Sequence, residues 1–329
     1  MRRGRALLGT LGLLALAATA SFAQSPATAQ TPRVYRIGTV LLGGPYAAAL
    51  QGLRDGLKEQ GFDEGKQYAL VVRDTQGDLK AVGAAAKSLE AENVDVIFAL
   101  GSSVAVNTVK NTQSVPIVFL VGADPVTAGL VENYRKPGGR ATGVSTQSRD
   151  IASKRLELLK AIVPGVHRIV TFYNPNNPTR YDVEGLHAAA RGLKIQLVER
   201  QVGSVEELRA ALRGLRPGDA DAIFWLGDAM VSSQAEFIIE IGLTKKLPTM
   251  LQEETSVAMG ALASYGVSFR SVGHLAARHV HRILLGARPA DLPVERLDRL
   301  HLAINLKTAK AIGVTVPQAV LSRADEVIQ

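Results

Sequence analysis

The eight residues VDVIFALG (Val94–Gly101) return as ADAIFWLG at Ala220–Gly227. Their surroundings return too. VYRIGTV (Val34–Val40) is answered by VHRIVTF (Val166–Phe172), and SVPIVFL (Ser114–Leu120) by KLPTMLQ (Lys246–Gln252). Val34 and Val166 lie 132 positions apart, as do Pro116 and Pro248, and Asp95 and Asp221 lie 126 apart. Three echoes in one order at nearly one spacing describe a duplicated unit as large as a domain rather than a solenoid repeat. The chain has 329 residues, 47% of them hydrophobic, enough for two separate cores.

Each copy alternates short apolar runs with amphipathic ones. The first copy reads as strands at Arg36–Leu41, Tyr68–Arg73, Asp95–Leu100, Pro116–Leu120 and Ala141–Ser145, with helices at Ala47–Gln60, Leu79–Glu92, Val104–Asn111 and Val126–Tyr134. The second reads as strands at Arg168–Tyr173, Ile195–Arg200, Ala222–Leu226 and Thr249–Gln252, with helices at Thr179–Gly192, Val205–Arg213, Val231–Leu243 and Glu253–Met259. Runs such as VDVIFAL, apolar on both faces and rich in β-branched residues, belong to buried parallel strands. Strand–helix alternation then predicts an α/β chain of two doubly wound lobes, each around a parallel sheet. A further helix at Gly273–Gly286, a Pro-rich connector and a last strand and helix complete both lobes, so the chain must cross between them more than once.

The first residues have a different purpose. Arg2, Arg3 and Arg5 precede an apolar run, Ala6–Ala20, and small residues follow at Ser21 and Ala23. This is the pattern of a secretory leader, and the run is too short for a membrane span of about 20 residues. Cleavage is expected after Ala23, with Ala29 as the alternative. With no cysteine, the chain can carry neither a lipid anchor on that residue, nor a disulfide, nor a catalytic thiol. The net charge of +8 falls to +5 without the three leader arginines, and the remaining basic residues are scattered. Scattered charge is a solvated surface rather than a nucleic-acid footprint.

In open parallel sheets ligands bind beyond the carboxyl ends of the strands. Six loops there carry polar or flexible residues: LLGGPYA, GSSVA, GADPV, YNPNNP, GDAM and QEETS. The candidates are Tyr46, Ser102, Ser103, Asp124, Pro125, Tyr173, Asn174, Asp228, Glu253 and Tyr265. Helix N-termini at Ser102 and Ser103 suit an anionic group, and Asp124, Asp228 and Glu253 offer charge to an ammonium, so the cleft suits a zwitterion or another small polar solute. Tyr46 or Tyr173 would cover an apolar part, and Tyr265 is also a hinge candidate. Ser, Asp and Asn are equally the ordinary N-caps, and if Asp228 only caps a helix, Asn should replace it at slight cost. Asp124-Pro125 is a common turn pair. Trp225 sits in an apolar strand and reads as core. His274, His279 and His281 read as a solvated helix face without metal-ligand spacing. No G-x-S-x-G, P-loop or dinucleotide pattern is present, so no catalytic residue, metal or cofactor is assigned and the chain is not read as an enzyme.

Several stretches carry a family likeness: GLRDGLKEQGFDEGKQ, PIVFLVGADPVTAGLV, ATGVS and YNPNNP, and above all ASYGVSF, RILLGARPADLPVE, INLKTAKAIGVTVP and RADEVIQ. Together they resemble the ABC-transporter substrate-binding proteins associated with tryptophan and tyrosine uptake, over the whole chain beyond the leader. The resemblance implies the type I periplasmic-binding fold, two Rossmann-like lobes joined by a three-crossover hinge. The crossings would fall near Ser145–Arg149, Ser264–Val267 and Pro293–His301. Residues 33–146 with 266–293 would form the first lobe and residues 147–265 with 294–329 the second, after the leader at 1–23. It implies ligand contacts at Ser102, Ser103, Asp124, Pro125, Tyr173, Asn174, Asp228 and the segment 252–254. Two departures stand out: Ser102-Ser103 where the family often has Thr-Pro, and Arg140 where it often has Asn. The implied role is capture of a small, amino-acid-like solute for an ABC permease in the inner membrane, by a periplasmic monomer without nucleic-acid partners. A sugar or nucleobase ligand on the same fold is the alternative. A DNA-binding regulator of this fold would need a helix-turn-helix of about fifty residues before the first strand, where this sequence has the leader. N-terminal sequencing of the periplasmic fraction should find a chain beginning at Gln24, or at Gln30; a retained Met1 would overturn the leader reading.

Overall fold

The computed structural model describes residues 33–146, 148–177, 183–297 and 299–329; the leader at 1–23, and the start of the helix expected from Thr179, lie outside these residues. The strands are β1 (Tyr35–Leu41), β2 (Tyr68–Asp74), β3 (Val96–Leu100), β4 (Ile117–Val121), β5 (Ala141–Ser145), β6 (Arg168–Tyr173), β7 (Gln196–Gln201), β8 (Ala222–Trp225), β9 (Thr249–Leu251), β10 (Ala263–Gly266), β11 (Glu295–Arg296), β12 (His301–Asn305) and β13 (Glu326–Ile328). The helices are α1 (Ala47–Glu59), α2 (Val82–Ala91), α3 (Ser102–Asn111), α4 (Ser148–Ile162), α5 (Val183–Gly192), α6 (Val205–Arg213), α7 (Ala229–Ser232), α8 (Ala235–Thr244), α9 (Glu254–Ala258), α10 (Phe269–Leu284), α11 (Leu306–Ile312) and α12 (Gln318–Leu321).

The strands form two sheets, ordered β2-β1-β3-β4-β5-β11 and β7-β6-β8-β9-β10-β12-β13. The first five places of each order are the same walk, so the repeated sequence is a repeated topology. All pairings are parallel except β10 with β12. The β3 and β4 strands are buried along their whole length, as apolar runs between two helix layers require. The chain crosses from the first sheet to the second after β5, returns after β10, and recrosses after β11, which pairs with β5.

The return segment is fixed by an unusually close helix pair. On α10, a Cβ at Gly273 would lie 1.9 Å from the carbonyl oxygen of Ala49 on α1, and a Cβ at Gly52 would lie 1.9 Å from the carbonyl oxygen of Arg270. Only residues without side chains let the two backbones touch this way. An ion pair of Arg270 with Asp55 (2.7 Å) and a polar contact of His274 Nε2 with Glu59 (2.7 Å) trim the solvent edge of the same contact, where such pairs contribute little.

Four expectations need correction. The helix expected at Val126–Tyr134 does not form; turns occupy this stretch, pinned by Asp124, whose Oδ1 accepts from Thr127 N (2.7 Å) and Oδ2 from Tyr134 OH (3.0 Å). The helix expected at Val231–Leu243 is broken at Ser233-Gln234, where the first lobe's Gly44 and Gly77 press against it. The helix α4 has no counterpart among the expected elements. Its buried positions Ala152, Leu156 and Leu159 are four and three apart, a helical period, but a fourth position on that stripe is Arg155, which disguises it. The histidines of α10 are not all solvated: His279 is buried with Nε2 2.9 Å from Pro293 O, and His281 meets the Phe62 ring edge-on. The departure at Arg140 also acquires a reason. Its guanidinium donates to Val109 O (2.6 Å), Thr112 O (2.8 Å), Val115 O (3.0 Å) and Thr112 Oγ1 (2.9 Å), closing the C-terminal end of α3.

Gly273→Ala should cost about 1–3 kcal/mol of stability, because a methyl forced between two backbones must part the helices. Gly139→Ala, where a Cβ meets nothing within 4 Å, should change it by less than about 0.5 kcal/mol. Equal denaturation midpoints for the two variants would refute the tight contact.

Candidate functional site

The loops that follow β1, β3, β4, β6, β8 and β9 converge where the two sheets' carboxyl edges face one another. From the first lobe come Tyr46, Ser102, Leu120, Gly122 and, at the first turn of α10, Phe269. From the second lobe come Asn177, Trp225, Gly227, Ala229 and Gln252. They enclose a cavity of about 20 Å³, close to the space of a single water molecule. A larger hollow, about 680 Å³, lies at the opposite, amino edge of the second sheet, against Val166, Asp221 and Pro248. Parallel sheets bind ligands at the carboxyl edge, and none of the side chains lining that hollow has a buried polar atom without a partner.

The lobes meet tightly around the small cavity. A Cβ at Gly44 would lie 2.7 Å from Ser232 O, and one at Gly77 would lie 2.5 Å from Val205 Cγ2. Gly44, expected to let backbone approach a ligand, lets it approach the other lobe. Tyr46 follows and reaches into the interface, its ring stacked on Phe269 with centroids 4.8 Å apart and planes at 13°. Gly101, with φ +107°, leaves room for the phenol: a Cβ there would be 3.3 Å from Tyr46 OH. Burial raises the pKa of that phenol, and the carboxylates of Asp228 and Glu253 across the interface raise it further, with the Ser232 side chain opposing.

The expected site residues divide into three groups. Tyr46 and Ser102 line the cavity, with Ser103 buried beside them. Neither serine is the helix cap, as the GSSVA pattern suggested. Gly101 is the N-cap, and Ser102 Oγ accepts instead from Gly122 N and Ala123 N, both at 3.1 Å, tying the loops after β3 and β4 together. Asp228, Asn174 and Glu253 are buried on the second lobe's side. Asp124, Pro125, Tyr173 and Tyr265 are not among the cavity's walls. Asp124 and Pro125 organise their own loop, the Tyr173 hydroxyl accepts from Gln201 Nε2 at 3.2 Å, and Tyr265 lends its carbonyl to Arg155.

The two buried acids of the second lobe are in opposite situations. Asp228, 2% exposed, caps α7 through Oδ1, which accepts from Met230 N (2.9 Å) and Val231 N (3.1 Å). Its Oδ2 accepts from Asn174 N (2.9 Å) and Asn177 Nδ2 (2.7 Å). Burial raises its pKa and these four donors pull against the rise. Glu253, 3% exposed, has no side-chain donor and no well-formed hydrogen bond on either carboxylate oxygen, with only the Phe269 backbone N–H directed towards it. Burial lifts its pKa well above the ordinary value, and the neighbouring Glu254 lifts it further. Proximity to the Phe269 N–H and to the Arg155 guanidinium opposes the lift. Gln252 Oε1 and Trp225 Nε1, both on side chains lining the cavity, are also buried without partners.

Among the wall residues, Trp225 and Asn177 were absent from the expected set, and so was Arg155 behind the wall. Trp225 belongs to the second lobe's core, as expected, and also forms the cavity's floor. Asn177 lies within the same YNPNNP loop, three residues beyond the expected contact Asn174. Arg155 does not line the cavity but lies 1% exposed behind Trp225, its Cζ 5.4 Å from the ring centroid. It donates from Nε to Tyr265 O (2.8 Å) and from NH1 to Trp225 O (3.3 Å). A lone arginine on the apolar stripe of a helix was the available signal. Among the described residues, no three His, Asp or Glu side chains are grouped to hold a metal ion, and no helix is long and apolar enough to cross a membrane.

Comparison with known proteins gives a consistent picture. The family described as ABC transporter substrate binding protein matches residues 38–328. A tyrosine-binding protein of Clostridioides difficile is 28% identical over 267 residues, 81% of this chain and 76% of that one. The crystal structure of an ABC domain in complex with L-Trp from Streptococcus pneumonia is 27% identical, covers 90% of this chain and all of its own, and overlays with a TM-score of 0.80. A ligand-free, open structure of a substrate binding protein with adhesive properties from Clostridium difficile is 26% identical with the same coverage, yet its TM-score is 0.58. At nearly equal identity and the same coverage, the overlay on the L-Trp complex is better than that on the open form.

Because both Asp228 oxygens accept, an amide cannot replace the carboxylate: one pair of N–H donors would face an NH₂ group. Asp228→Asn should therefore lose about 1–3 kcal/mol of stability, more than a simple cap exchange. Unchanged urea midpoints would show that the carboxylate does not hold the four donors.

Proposed function

This chain belongs to the ABC transporter substrate binding protein family, and we propose that it serves an ABC importer by capturing an aromatic amino acid, tyrosine or tryptophan, between its two lobes. The observation that carries this reading is the character of the interlobe cavity. Aromatic rings wall it from both sides, Tyr46 and Phe269 from the first lobe and Trp225 from the second, and buried polar atoms without protein partners border it. A flat ring between aromatic walls gains both area burial and favourable stacking, and the unpartnered polar atoms give a zwitterionic head something to bind.

The amino-acid carboxylate would face the start of α3 at Ser102 and Ser103, where the helix dipole is positive. Ser102 Oγ accepts two amide protons, so its own O–H is free to donate to that carboxylate. The ammonium would face the second lobe's acidic side. A cavity of about 20 Å³ cannot admit an amino acid, so entry requires the lobes to part at the three crossings and close again. The better overlay on the L-Trp complex supports reading the present arrangement as the closed one. The leader supports a periplasmic location, and a permease in the inner membrane would receive the ligand from the closed form.

Titration calorimetry of the mature protein should detect binding of L-tyrosine or L-tryptophan and none of a neutral hexose. Small-angle scattering should show a smaller radius of gyration with the bound amino acid than without it. Absence of binding by both amino acids would overturn the ligand class, and binding without compaction would overturn the hinge.

A further inference from the structure

We propose that Glu253, together with the side-chain carbonyl of Gln252, is the receptor for the ligand's cationic nitrogen, and that Asp228 is not. The inference rests on the aromatic amino-acid reading above and assigns its ammonium group to particular atoms.

The argument is one of hydrogen-bond accounting. A buried carboxylate needs donors or a cation, since burial otherwise costs several kcal/mol. Asp228 has four donors, all from the chain itself, and its oxygens are committed to holding the loop after β6 against the start of α7. Glu253 has only the Phe269 backbone N–H directed towards it and no side-chain donor, and it is the only carboxylate among the described residues whose two oxygens are both buried without a well-formed hydrogen bond. Gln252, its neighbour in sequence, lines the cavity and carries an unpartnered acceptor of its own, Oε1. Three acceptor atoms in two adjacent residues match the three N–H bonds of a primary ammonium.

The position of this pair is imposed by the fold. Gly266 on β10 lies so close that a Cβ there would approach Gln252 O to 2.3 Å and Cγ to 2.6 Å. Glu253 is the N-cap residue of α9 but makes no side-chain cap bond, so its carboxylate is not consumed by the helix. The Phe269 amide, at the crossing that leads into α10, lies beside Glu253, and the Phe269 ring stacks on Tyr46. Glu253 is not itself a wall of the cavity, but its sequence neighbour Gln252 and its contact Phe269 both are, so the acid is buried directly beside the wall.

The groups that face Glu253 from the packed elements are Tyr46 from the first lobe, Arg155 on α4 and Glu254 on α9, with His301 of β12 3.7 Å from Glu254 and Asp228 across the Tyr46 phenol. Arg155 is the one permanent positive charge among them, and it already donates to two carbonyls. A protonated Glu253 cannot pair with an ammonium. The ligand's affinity should therefore fall as pH drops from neutral towards the ordinary carboxylate range, while the ligand's own amine stays charged throughout.

The test uses the mature full-length protein with L-tyrosine, L-tryptophan and 3-(4-hydroxyphenyl)propionate, which is tyrosine without its amino group. The parent should bind the deaminated compound at least about a hundred-fold more weakly than tyrosine. Glu253→Gln, a substitution of the same shape, should weaken tyrosine roughly ten- to a hundred-fold, leave the weak binding of the deaminated compound unchanged, and abolish the acid-side loss of tyrosine affinity. Folding of the variant is checked by its melting temperature. Because the raised pKa of Glu253 makes the carboxylate stabilising only while protonated, and that contribution is lost as pH rises above the unfolded-state value, Glu253→Gln should melt no lower than the parent at pH 7. If Glu253→Gln binds tyrosine like the parent, or the parent does not discriminate against the deaminated compound, the assignment is wrong while the family ligand class stands. If the parent binds neither amino acid, the ligand class itself has failed, and this assignment with it. The analogue comparison needs no variant, so a misfolded Glu253→Gln would not shield the proposal.

Discussion

Two helix backbones touch without side chains between them, at Gly52 of α1 and Gly273 of α10. The helix α10 is the segment that has just returned from the second lobe, and α1 follows directly on the first strand of the first. Their contact therefore fixes the returning chain against the first helix of the first lobe. It also decides the site, because Tyr46 immediately precedes α1 and Phe269 begins α10. Their rings stack because the helices behind them are locked at backbone distance. Tyr46 is then delivered across the interface towards Asp228 and Glu253.

Around that aromatic pair the polar groups follow the cost of burial. Most buried acceptors and donors near the cavity are consumed in holding loops to loops. Ser102 ties the β3 and β4 loops, Asp228 ties the β6 loop to α7, and Arg155 ties the ends of β8 and β10 from behind. These bonds make the rim rigid and leave it nothing to offer a ligand except what geometry has withheld from the network. The withheld atoms are few: both Glu253 oxygens, Gln252 Oε1 and Trp225 Nε1. A buried group without a partner costs stability, and a bound ligand's donors would offset that cost.

The close approach of the two lobes follows from the same economy of space. Gly44 and Gly77 allow the first lobe's loops to lie against Ser232, Ser233 and Val205, and little room remains between them. That tightness explains the overlay on a ligand-bound relative in preference to an open one of equal identity.

Much of the fold was legible in the residues because its signals are local and repeated. The echo of VDVIFALG in ADAIFWLG became the same strand order in two sheets, and apolar runs of five residues became buried parallel strands. Where the local signal was mixed, the reading failed: Arg155 on the stripe of α4 hid a helix of 15 residues, and VTAGLVENY imitated a helix that Asp124 holds as turns. The loops that build the site were legible as well, since strand ends are where parallel sheets gather ligands. What the residues could not reveal was the allocation of partners. Asp228 and Glu253 look alike in sequence, each an acid just past an apolar strand. Only the packing around them gives one four donors and the other no well-formed hydrogen bond, because a hydrogen bond depends on which distant groups the fold brings within 3 Å, and no local pattern records that.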